Sequence, residues 1–289
     1  MKEIAIISGK GGTGKTSITA ALSSLDEKCS IVDCDVDAAN LSLICEHEVF
    51  DTEDFMQGKK YTIDMDKCVK CGKCISLCRF DAINDDYVID PVFCEGCGVC
   101  SFFCMNRAIE GKENNSGTIF TSKTERGPFY HARLGIGEGN SGKLVARLRE
   151  MNSMKLLNRK DIPVTYLDGP PGTGCPVIAT IAGVNAVLLV TEPSISAIHD
   201  LKRISQLCKH FRIKTFLCIN KADINTELSD QIKTFCQEND IELSGQINYD
   251  PLFLQSQKEG KNIIDFASNE TVDEIKQIHK KLSDFIKNG

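Results

Sequence analysis

The sequence predicts an α/β fold: a doubly wound, mostly parallel sheet, interrupted by a small cysteine-rich α+β module. Three observations predict it. An apolar run, Ile4-Ala5-Ile6-Ile7, passes through a glycine-rich loop directly into a helix pattern. Later unbroken apolar runs such as Ala186–Val190 alternate with segments of helical spacing, as strands buried on both faces and covered by helices do. Between them one stretch repeats itself at a constant offset. Ile63-Asp64 leads to Cys68, Cys71, Cys74 and Cys78, and Ile89-Asp90 leads to Cys94, Cys97, Cys100 and Cys104. The 289 residues suffice for one large α/β domain and one small domain.

Taken in order, the first strand is followed by Gly9-Lys10-Gly11-Gly12-Thr13-Gly14-Lys15-Thr16, which satisfies G-x4-G-K-[ST] between a strand and a helix. In that context the amides of Gly11, Gly12, Thr13, Gly14 and Ser17 are expected to curl around phosphates at a helix N-terminus. Lys15 is expected to reach the β/γ-phosphates of ATP, and Thr16 to place its hydroxyl on Mg²⁺. Ile18, Leu22 and Leu25 mark one face of the helix. The next strand, Ile31-Val32, ends in Asp33-Cys34-Asp35. After the cysteine repeat, Gly139-Asn140-Ser141-Gly142-Lys143 reads as a glycine loop leading into a helix at 143–157. Val164-Thr165-Tyr166 is a strand running into Leu167-Asp168-Gly169-Pro170-Pro171. Ile198, Leu201, Ile204, Leu207 and Phe211 share helical spacing, as do Leu228, Ile232 and Phe235, and the strand between them ends at Asn220. Val272, Ile275, Ile278, Leu282, Phe285 and Ile286 form the stripe of a last helix, expected to face the core rather than a lipid surface. Cys208, Cys218 and Cys236 fall within these patterns and read as small buried hydrophobes.

Composition limits the function. A net charge of −6 leaves no basic footprint for nucleic acid. No apolar run approaches the ~20 residues that span a bilayer, so no membrane contact is expected. The chain opens without an apolar segment and cleavage site, and its 15 cysteines are an odd number. A reducing cytoplasm, with thiolates serving as metal ligands, is the expected setting.

Each cysteine run is C-x2-C-x2-C-x3-C, the spacing that wraps a cubane iron–sulfur cluster, whereas zinc sites more often use separated pairs. The doubled run resembles two-cluster ferredoxins, in which the fourth cysteine of each run ligates the other cluster. That resemblance implies two [4Fe–4S] clusters, one on Cys68, Cys71, Cys74 and Cys104, the other on Cys94, Cys97, Cys100 and Cys78. Gly72, Gly96 and Gly98 ease the turns, and Ile63, Ile75, Ile83, Ile89, Val99 and Ile109 can form a dry shell. Arg79 and Met105 stand where bacterial ferredoxins usually carry proline after the fourth cysteine.

Lys10 at the start of the loop resembles the deviant Walker A motif, K-G-G-x-G-K-[ST], of the MinD/ParA/Mrp/nitrogenase-iron-protein family. The resemblance implies an ATP-dependent homodimer in which Lys10 reaches the partner's nucleotide. Asp33-Cys34-Asp35 resembles switch I, which implies that Asp35 orients the attacking water and Asp33 supports the Mg²⁺ shell. Asp168 resembles the Walker B aspartate at the start of switch II, holding Mg²⁺ through water. Asn220 resembles the adenine-contacting asparagine, and Pro251 in Tyr249-Asp250-Pro251 resembles the loop lining the base. The resemblance covers 1–57 and about 113–289, with 58–112 as an inserted ferredoxin-like domain. The whole arrangement resembles MinD-superfamily ATPases containing such an insertion. Glu138 and Pro171 stand where the nitrogenase iron protein has the cysteines of its intersubunit cluster, and Cys175 lies four residues further on. The implied function is an ATPase, with Lys10, Lys15 and Asp35 in catalysis, whose nucleotide cycle gates electron transfer to a redox partner. The alternative is an ATP-controlled carrier that delivers clusters to an acceptor protein.

Overall fold

The computed structural model describes residues 1–135, 137–139 and 141–288, so Ile136 and Asn140, both in the glycine-rich stretch between the repeat and the following helix, lie outside the described residues. In chain order the elements begin with β1 (Lys2–Ser8), α1 (Lys15–Ser24), β2 (Cys29–Asp33), a 3-10 turn at Leu41–Leu43 and β3 (Glu48–Ile63). Then come α2 (Lys73–Leu77), α3 (Val99–Phe102), β4 (Ile109–Lys123), β5 (Pro128–Leu134), α4 (Ser141–Leu156), β6 (Val164–Pro171) and α5 (Cys175–Ile181). The chain closes with β7 (Ala186–Thr191), α6 (Ile195–His210), β8 (Lys214–Asn220), α7 (Thr226–Glu238), β9 (Glu242–Ile247), α8 (Leu252–Lys258), α9 (Ile263–Phe266) and α10 (Glu270–Asn288). Strand order in the sheet is β3-β4-β5-β2-β6-β1-β7-β8-β9.

Two compact units emerge. The first comprises Met1–Thr52, Ile119–Arg133 and Ser141–Gly289. Its centre is parallel: β2 pairs with β5 and β6, β1 with β6 and β7, and β8 with β7 and β9. Ile4 to Ile7 and all of β7 are buried, as unbroken apolar strands covered on both faces must be. The register sets Asp33 directly beside Asp168 at the carboxyl ends of β2 and β6. That end of an open parallel sheet is where ligands bind. Helix starts follow local chemistry: Ser194 accepts the Ala197 N–H to cap α6, and Asn225 accepts the Leu228 N–H to cap α7. Val272, Ile275, Ile278 and Leu282 of α10 are buried, with Phe285 and Ile286 packed against the same core. Gly245 of β9 makes room for this helix, because a Cβ there would sit 2.6 Å from Ile278 Cγ1. Among the described residues no helix is long and apolar enough to cross a membrane.

The second unit comprises Glu53–Thr118 and Leu134–Asn140, wider than the expected 58–112. The expected borders were the limits of the family resemblance, which covers 1–57 and about 113–289. β3 and β4 extend beyond those borders: β3 is largely exposed and polar, and β4, exposed over 110–113, buries mainly small and polar residues such as Ser116 and Ser122 further on. Within the unit, Ser116 Oγ donates to the Gln57 carbonyl at 2.7 Å and the Asp64 N–H to the Ala108 carbonyl at 2.7 Å. The repeat is conformational as well as sequential. Gly72 and Gly98 share φ 76°, and Asp81 and Arg107, one repeat apart, have φ 51° and 49°. Ala82, Ile83, Ala108 and Ile109 are buried as matching pairs.

Candidate functional site

The loop after β1 is shaped by Gly12 and Gly14, at φ 81° and 87°, conformations that a residue with a side chain rarely adopts. A side chain at Gly14 would also run into the Asn220 amide. Asn220 Nδ2 donates to the Thr13 carbonyl at 2.8 Å and its Oδ1 accepts the Lys221 N–H at 3.0 Å. The amide expected to contact the base thus also holds the loop through one of its N–H groups.

A cavity of about 750 Å³ opens over this loop, lined by residues 11–17 together with Asp35, Asp37, Pro171 and Gln257. Asn220 and Pro251 are not among its lining residues. Lys15, Thr16 and Asp35 of its lining join a charge cluster that continues into the buried Asp168 and Asp33. Asp168, 1% exposed, accepts Lys15 Nζ at 3.0 Å and Thr19 Oγ at 2.8 Å on one oxygen, and Thr16 Oγ at 2.8 Å on the other. Asp35 lies 3.7 Å from Lys15 Nζ. Buried Asp33 accepts the N–H groups of Asp35 at 3.1 Å and Leu41 at 3.3 Å. Burial pushes Lys15 towards its neutral form, but Asp168 and Asp35 outweigh it and raise its pKa. Burial, with Asp168 adding to it, pushes Asp33 well above the usual carboxylate range. Burial also raises Asp35, with Lys15 opposing it. Three carboxylates and a hydroxyl thus share one ammonium. This hard-oxygen set is short of positive charge and fits Mg²⁺, as the glycine cradle and Lys15 fit the phosphates.

Lys10 does not point into this cavity's acid cluster. Its Nζ is 2.7 Å from Glu192 Oε1 and donates to Ser194 and Ser196 at 3.3 and 3.2 Å. Lys221 Nζ takes the other Glu192 oxygen at 3.0 Å and donates to the Gly12 carbonyl at 3.1 Å. Burial raises the Glu192 carboxyl, but hydrogen bonds from the two lysines outweigh it and leave it lowered. Glu192, Lys221, Thr19 and Gln257 were not anticipated from sequence. Lys221 alone carried a local signal, its adjacency to Asn220.

The second unit brings the cysteines together as two sets. A cavity of about 190 Å³ is lined by Cys68, Cys71, Cys74 and Cys104, and also by Cys100. A tighter one of about 20 Å³ is lined by Cys78, Cys94, Cys97 and Cys100. The fourth cysteine of each run thus lies with the first three of the other. Among the described residues no three His, Cys, Asp or Glu converge on a single-ion position. The thiols ring spaces instead, and the donor sets fit a [4Fe–4S] cluster in composition, with ample room in the first cavity and little in the second. The Ala108 N–H donates to Cys104 Sγ at 3.3 Å, the kind of contact that tunes a cluster's potential. Burial raises the Cys74 and Cys100 thiols. Elsewhere, burial pushes Cys208 and Cys236 up to about 11, which keeps them inert, while Cys175 is exposed at the start of α5. Glu138 is held by Lys60 at 3.2 Å and Asn114 at 2.8 Å.

The family model described as the CobQ/CobB/MinD/ParA nucleotide binding domain matches residues 4–263. An uncharacterised protein of Methanocaldococcus jannaschii is 35% identical over 288 residues, covering 98% of this chain and 97% of its own length. A second from the same organism is 26% identical over 237 residues, covering 78% and 82%. Among solved structures, the septum site-determining protein MinD complexed with Mg-ADP from Pyrococcus horikoshii superposes with a TM-score of 0.60. It is 18% identical and covers 98% of this chain and 96% of that one. A Cyanothece McdA–ATP complex superposes with a TM-score of 0.58 at 16% identity, covering 98% and 96%. At such identities the structural likeness is one of fold.

Proposed function

We propose, from the premise that this chain belongs to the CobQ/CobB/MinD/ParA nucleotide-binding family, that it is an ATP-hydrolysing iron–sulfur protein whose nucleotide cycle gates electron transfer. One observation carries the electron-transfer part: the fourth cysteine of each run lines a cavity with the first three of the other, Cys100 lining both cavities. In the first unit, the loop amides and Lys15 hold the triphosphate. Thr16, Asp33 and Asp168 hold Mg²⁺, which supplies charge neutralisation at the phosphates. Asp35, beside Lys15 at the cavity wall, orients the attacking water. Asn220, which also braces the loop through the Thr13 carbonyl, contacts the adenine, and Pro251 belongs to the loop that lines the base. Lys10 acts across the two-fold axis of a homodimer once it has left Glu192. The bound clusters would supply one-electron chemistry, and the setting is a reducing cytoplasm.

A second reading, an ATP-controlled cluster carrier, is favoured by the exposure of Cys71 and Cys97, since a transferable cluster must be reachable. The decisive experiment is anaerobic. Iron and acid-labile sulfide should come to about eight of each per chain. Cluster potentials are then measured without nucleotide, with ADP and with a non-hydrolysable ATP analogue, alongside cluster transfer to an apo-acceptor. A tenfold coupling corresponds to about 59 mV for a one-electron step. Stoichiometric zinc in place of iron overturns the cluster reading. Unchanged potentials with ATP-dependent transfer select the carrier.

A further inference from the structure

The rim of the larger cysteine cavity is unusual for a chain with net charge −6. Its lip is apolar and solvent-facing: Val69 is 69% exposed, Phe102 83% and Met105 91%. Phe103 completes the lip, with its ring 5.1 Å from that of Phe102. Three cations border these side chains. Lys73 Nζ lies 5.3 Å from the Phe103 ring centroid, Lys70 follows Val69, and Arg107 is two residues from Met105. All three are exposed, and among the described residues none is in an ion pair. Lys67 differs, being held by Asp64 at 3.0 Å and Glu110 at 3.4 Å. The nearest carboxylates in sequence are Asp66, Asp81 and Glu110, and none of them forms an ion pair with the three, Glu110 instead holding Lys67.

We infer that this rim is the docking surface for a small electron-carrier protein whose contact face is acidic around an apolar centre. The inference rests on the reading that the cysteines hold clusters. The chemistry is specific. Unpaired lysine and arginine charges steer an anionic partner on encounter, and a few exposed apolar side chains supply the contact. Redox encounters bury little surface, which suits a patch of four side chains. Val69, Lys73, Phe103 and Met105 of this patch line the cavity that holds Cys68, Cys71, Cys74 and Cys104, so docking on the patch brings the partner's redox centre close to it. One electron leaves the reduced carrier and one enters the group bound by these thiols, and no bond is made or broken. A bilayer would match the charges but would leave a redox mouth facing no acceptor.

The test uses the iron-loaded full chain and, as probe, an oxidised acidic two-cluster ferredoxin, with binding measured by calorimetry at about 20 mM and about 500 mM salt. Binding by the parent should weaken by about tenfold or more as salt rises. Lys70→Glu with Lys73→Glu should weaken low-salt binding to a similar extent and abolish the salt dependence. Phe102→Ser with Met105→Ser should weaken binding and leave the salt dependence intact. Iron content, unchanged in all variants, reports folding, and the rate of electron transfer from the reduced probe should follow the binding order. Salt-independent binding, or binding indifferent to the charge reversals, overturns the docking surface while leaving the clusters standing. Lysine-dependent sedimentation with phosphatidylglycerol vesicles and no ferredoxin binding overturns it in favour of a lipid surface. A chain that takes up no iron overturns both the surface and the cluster reading.

Discussion

Glu192→Gln should tighten the ATP-dependent dimer. Lys10 is held 2.7 Å from Glu192, with side chains 30% and 17% exposed, so the pair is partly screened and contributes about 1 kcal/mol. If Lys10 must leave Glu192 to reach the partner's nucleotide, each protomer gives up that contribution on dimerisation, about 2 kcal/mol for the pair. Glutamine keeps an oxygen acceptor and loses the charge, so most of that cost disappears and the dimer Kd should fall by about 30-fold. Lys221 retains its bond to the Gly12 carbonyl at 3.1 Å, which keeps the loop in place. Sedimentation velocity over a protein dilution series, with a slowly hydrolysed ATP analogue, measures the change. A dimer that is unchanged or weaker refutes the latch. So does equal tightening in a Lys10→Ala background, where there is no latch to release.

Lys15→Ala should abolish ATP binding in a nucleotide titration, because the ammonium that neutralises Asp168 and Asp35 is also the phosphate contact. Asp35→Ala should bind ATP and release no phosphate, and normal turnover would remove Asp35 from the water-orienting role. Lys10→Ala should bind nucleotide as the parent does yet remain monomeric with the ATP analogue by sedimentation. His131 stacks against Phe120 and Phe129 with centroids 4.9 and 4.7 Å away, and burial, helped by His47 and Arg133, lowers its pKa from 6.5 to about 4. The unfolded chain therefore binds the extra proton first. Stability from this site is complete above pH 6.5 and is lost as pH falls towards about 4, by up to ~3 kcal/mol. His131→Gln should flatten that acid limb in urea unfolding measured between those pH values.

Features set by neighbours in the chain were legible from the sequence alone. The Gly9–Thr16 loop, the cysteine runs, the buried strand Ala186–Val190 and the apolar stripe of α10 each encode a backbone geometry or a buried face through local spacing. That spacing is a property of the chain before it folds. The borders of the cysteine unit were not legible, because β3 is mostly exposed and β4 buries small polar residues, and neither has a hydrophobic period to read. Asn220 was recognised by its position at a strand end. Its commitment to the Thr13 carbonyl depends on β8 and the loop after β1 meeting in space. Tertiary structure alone determined the pairing of Lys10 with Glu192, the brace from Lys221 to Gly12, and the sharing of Lys15 among three carboxylates carried by β2 and β6 and the turn after β2. These contacts join residues far apart in sequence, and only the parallel register of the sheet brings the ends of those strands to one edge, where their charges must be balanced together.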